Sequence, residues 1–143
     1  LAEDFGVQAD VWSCPSFNEL KRDGDDCVRW NLMHPDQKPR IPHVTACLEK
    51  HSGPVVAATD YVKLFADQIR AYVGRNFHVL GTDGFGRSDT RASLRRHFEV
   101  NRYYVTVAAL KTLADEGTIP AKTVKSAIRK YQLDPDKPNP LHV

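Results

Sequence analysis

The chain has 143 residues, 41% hydrophobic and 27% charged, with 20 basic and 18 acidic residues and a net charge of +2. That length fits one domain able to bury a core of its own, and the balance of charge gives no electrostatic case for a nucleic-acid or membrane partner. No apolar run reaches the roughly 18 residues that mark a membrane span, and neither a signal peptide nor an Asn-x-Ser/Thr sequon is present. Cys14, Cys27 and Cys47 are odd in number, widely spaced and free of any C-x-x-C pair, which reads as reduced thiols of a cytosolic protein and not as a zinc or redox motif.

In chain order, Leu1–Val7 reads as the last turn of a helix running into a strand, and a helix end without its beginning suggests a fragment. Val7 to Cys14 alternates apolar and polar residues, a half-strand pattern. Ser16 is placed to cap a helical stretch through Leu20, which Gly24 interrupts and Cys27–Met33 resumes. Residues 34–42 hold three prolines in nine positions and cannot be regular helix; Val44–Glu49 is short enough for one turn. Pro54–Ala58 is a wholly apolar run of the kind found in a parallel strand covered on both faces. Thr59 or Asp60 then caps a helix whose Tyr61, Leu64, Phe65, Gln68, Ile69 and Tyr72 recur at spacings of three and four, and Gly74 ends it.

Phe77–Leu80 is the next strand. A glycine-bearing loop follows, and Ser88 or Asp89 is placed to cap the next helix. The helix from about Tyr103 to Glu116 is apolar nearly all round, which predicts deep packing. Pro120 sits in the first turn of the last helix, whose stripe is Val124, Ile128 and Tyr131. The Pro-rich tail, 134–143, is expected to lie along a surface. Strands alternating with helices predict a three-layer α/β/α fold around a mainly parallel sheet.

Two features point towards binding. The loop Asp83, Gly84, Phe85, Gly86, Arg87, Ser88 leaves the carboxyl end of a predicted parallel strand, where open α/β sheets place ligands. It is not a nucleotide motif: Gly84-Phe85-Gly86 lacks the third glycine of G-x-G-x-x-G, and there is no G-K-[S/T]. A packing loop that docks Phe85 on a neighbouring domain is the plainer reading. Arg91, Arg95 and Arg96 form the second feature. Arg87, Arg91 and Arg95 are four apart, a spacing that a helix would align into an anion or partner face; the plainer reading is a solvated face with local ion pairs. None of His34, His43, His51, His78, His97 and His142 shows a helical metal-ligand spacing. His34, in WNLMHP, reads as a structural histidine bonded to backbone. No Ser or Cys has an identifiable partner base, so a triad cannot be argued.

DGFGRSD-x4-LRRHFEV (83–100), with VVAATDYVKLFADQIRAYV (55–73), CVRWNLMHP (27–35), KPRIP (38–42) and DPDKPNP (134–140), resembles the C-terminal domain of the homodimeric pyruvate dehydrogenase E1 component, in the thiamine-diphosphate-dependent transketolase-like superfamily. The resemblance covers most of the chain in the family's order. It implies that residues 1–143 are one transketolase C-terminal-like domain, incomplete at its N-terminus with a first strand missing. It also implies a scaffold and dimer-interface role in a cytoplasmic enzyme that decarboxylates pyruvate and reductively acetylates the lipoyl group of E2.

Thiamine diphosphate and Mg2+ would lie outside these residues: Asp23-Gly24-Asp25 is not the family's Gly-Asp-Gly, and the glutamate that faces the aminopyrimidine belongs to another domain. The resemblance therefore carries no catalytic, cofactor or metal residue onto this chain, which alone is expected to be inactive. Its partners would be the remaining E1 domains, the second E1 subunit and E2. Two other readings stand beside it. One is a different transketolase-like or 2-oxo acid dehydrogenase E1 enzyme, against which WNLMHP and the tail argue. The other is a free-standing module that binds an anion at residues 81–96.

Overall fold

A computed structural model describes residues 1–143. In chain order it contains α1 (Ala2–Phe5), α2 (Phe17–Met33), α3 (His43–Leu48), β1 (Val55–Ala58), α4 (Lys63–Asp67), α5 (Arg70–Val73), β2 (Phe77–Leu80), α6 (Arg91–His97), α7 (Arg102–Asp115), α8 (Ala121–Lys130) and a 3-10 turn, Pro140–His142. The two strands pair in parallel, Val55 opposite Phe77 through Ala58 opposite Leu80. Because side chains alternate along a strand, Phe77 and Val79 share a face, and they join Leu48, Ala66, Ile69, Tyr72 and Val73 in the larger core cluster. Helix α7 crosses both strands and packs on α8, where Leu110, Val124 and Ala127 form a second, smaller core. The α/β class and parallel pairing agree with the sequence reading; the sheet is a two-stranded one.

Several local expectations need correction. Residues 7–14 form no ladder: Val11 is 95% exposed, and the segment is held by Asp10, which accepts from His51 Nδ1 at 2.8 Å, and by Trp12 set edge-on to the same ring. Gly24 does not interrupt α2, which runs unbroken for 17 residues from its Ser16 cap. Its role is spatial, since a Cβ there would lie 2.3–2.6 Å from ring atoms of Tyr72.

The helix after β1 begins at Lys63, not at Thr59 or Asp60, and breaks after Asp67. There the Gln68 amide takes the Phe65 carbonyl, and Ile69 N–H turns to Ala66 instead. Gly74 ends α5 in the left-handed conformation (φ 69°), as its lack of a Cβ permits. Helix α7 is less deeply packed than its composition suggests: Ala108, Leu110 and Thr112 are buried, while most of its other apolar residues are half-buried. Pro120 is the N-cap of α8, not part of its first turn.

Tyr72 joins three elements. Its ring lies on Gly24, its hydroxyl donates to Asp25, which also holds Lys21, and its carbonyl accepts from Thr45 Oγ1 at 2.6 Å. Near the other core, Lys130 and the Tyr131 hydroxyl both donate to Asp4, and Phe5 sits edge-on to the Tyr131 ring. Partial burial first, and the Asp4 carboxylate second, push the Tyr131 hydroxyl up to about 12.

Two outcomes follow. Gly24→Ala gains up to about 1 kcal/mol of helix propensity but drives a methyl into a buried ring, which costs roughly 1–3 kcal/mol. Urea unfolding is therefore expected to show net destabilisation. As for Tyr131, its pKa is raised on folding, so its contribution is complete below its unfolded value near 10 and is lost as pH climbs towards about 12. The melting temperature is expected to fall over that range, and less steeply in Tyr131→Phe.

Candidate functional site

Because β1 and β2 are parallel, the chain leaves both strands at the same end, and the two outgoing loops meet there. Thr59 N–H first extends the ladder to the Leu80 carbonyl at 3.0 Å. Thr82 N–H then donates to the Tyr61 carbonyl at 2.9 Å, and its hydroxyl to the Asp60 carbonyl at 3.1 Å. Gly81 is buried at the crossing, where a Cβ would lie 2.7 Å from the Tyr61 oxygen and 2.8 Å from Lys63 N. Asp83 Oδ1 accepts from Lys63 N–H at 2.9 Å. The first turn of α4 is thus satisfied from the neighbouring loop, which explains why neither Thr59 nor Asp60 caps it.

The far side of the loop rests on the tail. Gly84 takes φ 98°, and a Cβ there would approach the Pro140 oxygen to 2.5 Å; both constraints favour glycine. Pro140 is itself buried. Lys137 reaches back to the end of α6, donating to the His97 carbonyl at 2.6 Å and to Glu99 Oε1 at 3.2 Å. A cation there suits the carbonyl end of a helix, and it accompanies Glu99 at φ 61°. Between loop and tail is a cleft of about 320 Å3. On its wall Lys63 pairs with Asp83 at 3.9 Å and Lys137 with Glu99 at 3.2 Å, while Asp134 has no ion pair.

From this fixed base Phe85 projects with 80% of its surface exposed, next to the 48%-exposed Leu141 that backs Gly84. Tyr61 and Phe65 lie edge-to-face 4.8 Å apart on the adjoining loop and helix. Arg87 and Ser88 are exposed in the loop. The cap of α6 is Thr90, not Ser88 or Asp89: its hydroxyl oxygen accepts from Ser93 N–H at 3.3 Å, while Asp89 Oδ1 accepts from Thr90 N–H at 2.6 Å.

Within α6 only Arg91 and Arg95 keep the spacing of four. Arg87 precedes the helix, so the spacing of four that would align it is lost. Arg95 Nε lies 3.6 Å from Asp60 Oδ1, within ion-pairing range but beyond a hydrogen bond. Arg96 donates to the Gln132 carbonyl at 3.3 Å, and Arg91 is exposed. His34 donates from Nδ1 to the Trp30 carbonyl at 2.8 Å, the backbone bond expected of it. Sequence reasoning gives Asp60 only a capping role and does not single out Lys63 or Lys137, because each acts through a partner 20 or more residues away.

No three His, Cys, Asp or Glu side chains converge into a metal-binding group. Asp23-Gly24-Asp25 lies inside α2, with Gly24 under Tyr72 and Asp25 occupied by Lys21 and Tyr72. These residues do not fit a site for thiamine diphosphate and magnesium. No helix is long and apolar enough to cross a membrane.

The sequence matches the transketolase-like TK C-terminal domain over residues 1–101, and the chain belongs to that family. It is 59% identical over 143 residues to the pyruvate dehydrogenase E1 component of Cupriavidus necator, covering all of this chain and 16% of that protein. Identity is 58% over 142 residues to the pyruvate dehydrogenase E1 component of Pseudomonas aeruginosa and 55% over 141 residues to that of Escherichia coli K12. Those matches cover 99% and 98% of this chain and again 16% of each relative. The chain thus spans about one sixth of the length of the relatives it matches.

The loop geometry separates two glycines that look alike in sequence. Gly81→Ala, facing rigid backbone at 2.7 Å, is expected to destabilise the chain by about 1–3 kcal/mol. Gly86→Ala, with nothing within 4 Å of the new methyl, is expected to stay within about 0.5 kcal/mol of the parent sequence. Paired thermal and urea unfolding curves check both.

Proposed function

We propose that this chain is the scaffold and dimer-contact domain of a cytoplasmic pyruvate dehydrogenase E1 component, in which the Asp83–Ser88 loop touches another E1 domain at the active-site rim. The parent enzyme decarboxylates pyruvate and reductively acetylates the lipoyl group of E2. Thiamine diphosphate with Mg2+ supplies the carbanion chemistry from a site elsewhere in that enzyme. The observation that carries the reading is the 59% identity, over every residue of this chain, to an E1 component.

The geometry supports a docking role for this part of it. The residues beneath the loop are tied to two neighbouring segments, and the side chain it presents, Phe85, is large, aromatic and exposed. Aromatic anchors on preorganised loops are typical centres of binding energy. Arg91, Arg95 and Arg96 belong in this reading to the solvated margin of the contact, and no residue of the chain is assigned a catalytic role.

Calorimetric titration with thiamine diphosphate and Mg2+, run on the full-length parent and on this chain, tests the reading. The parent is expected to bind and to release CO2 from pyruvate, and the chain to do neither; cofactor binding by the chain alone would sink the scaffold account. Phe85→Glu in the parent is expected to weaken domain or subunit association by at least about tenfold in Kd, the size of a buried aromatic anchor. In the chain alone the same change should leave the melting temperature within about 2 °C.

A further inference from the structure

The apolar stripe of helix α2 runs on past the core that its first turns cover. Phe17, Leu20, Gly24 and Cys27 recur at helical spacing and turn to the core. Val28 and Leu32 continue the Leu20–Gly24 row at spacings of four beyond the core and are 56% and 75% exposed; Met33 beside them is 63% exposed and Ile41, in the following segment, 54%. A stripe that stays apolar where the core no longer covers it is suited to burial against a further surface.

Isolated exposed apolar residues are ordinary, but these are adjacent and held in position. Asn31 bonds both backbone groups of Arg40, accepting from its N–H at 2.7 Å and donating to its carbonyl at 2.9 Å, which lays Arg40 and Ile41 against the helix. The Arg40 guanidinium sits 4.3 Å from the Trp30 ring centre, and Trp30 stacks on His34 at 4.4 Å with 11° between the planes. Trp, Met and Arg are the residue types enriched in interface cores, and side chains already ordered lose less entropy when a partner arrives.

We propose that this face docks against the remaining domains of the same, longer polypeptide, which present an apolar surface with an acidic margin to Val28, Leu32, Met33 and Ile41. The proposal rests on reading the chain as one domain of an E1-like protein. Relatives that match it from end to end are about six times its length, so most of such a polypeptide lies outside these residues and has to pack on some surface of them. Charge favours that occupant over a second copy. Arg29, Lys38 and Arg40 outnumber Asp26 and Asp36 around the stripe, so self-pairing would bring like charges together. The face is also separate from the Phe85 loop, and two contacts orient a domain where one leaves it free to pivot.

Hydroxyl-radical footprinting read by mass spectrometry tests this, because Met33 is the sole methionine in these residues. Oxidation of Met33 is expected to be several-fold slower in the full-length parent than in the 143-residue chain. Leu32→Asp should lower the parent's melting temperature while leaving that of the chain within about 2 °C. Equal oxidation rates overturn the proposal. So does protection that appears in the chain alone as its concentration rises, which would give the face to a second copy. A parent that protects Met33 but fails to turn over pyruvate would overturn the proposed function and leave the docking face standing.

Discussion

The parallel pairing of Val55–Ala58 with Phe77–Leu80 is the constraint from which the rest of the molecule follows. Parallel strands cannot be joined by a tight turn, so residues 59–76 cross over as α4 and α5 and supply Ala66, Ile69, Tyr72 and Val73 to the core. The same pairing sends both outgoing loops to one end of the sheet, where each satisfies the other. Thr82 donates to Asp60 and Tyr61, and Asp83 closes the first turn of α4. With opposite strand directions the Asp83 carboxylate and Lys63 N–H would emerge at different ends.

What could be read from the sequence follows how local each signal is. The apolar runs of β1 and β2, the Ser16 cap and the glycine stop at Gly74 depend on near neighbours, and all three were legible. Gly24 and the cap of α4 were misread because their determinants lie far along the chain. Gly24 is set by Tyr72, 48 residues on, and Lys63 N–H by Asp83, 20 residues on. The half-strand at Val7–Cys14 shows the converse: alternation marks a segment that can pair, but a ladder needs a partner edge, and His51 holds this stretch through side chains alone. At the candidate site, the strand–loop–helix frame and the need for glycine could be read, whereas the tail that makes Gly84 obligatory could not.

The tail and the first turn show how a chain with two modest core clusters closes on itself. Asp4 receives Lys130 and Tyr131 from the far end of the sequence, and Lys137 caps α6 from the other side. Exposed ion pairs contribute little on their own. These sit beside aromatic contacts, Phe5 on Tyr131 and Tyr103 on Tyr131, so that each cation or carboxylate fixes an apolar contact in register.

The same division of labour runs through the candidate surfaces. At the end of the sheet the charged groups occupy one another: Asp83 with Lys63, Asp60 with Arg95, Glu99 with Lys137. Large apolar side chains are left uncovered: Phe85 and Leu141 at one surface and Val28, Leu32, Met33 and Ile41 at the other. Polar groups that hold the backbone, with large apolar groups left uncovered on top of it, form a pattern suited to recognition. That pattern supports reading this domain as a part that positions others.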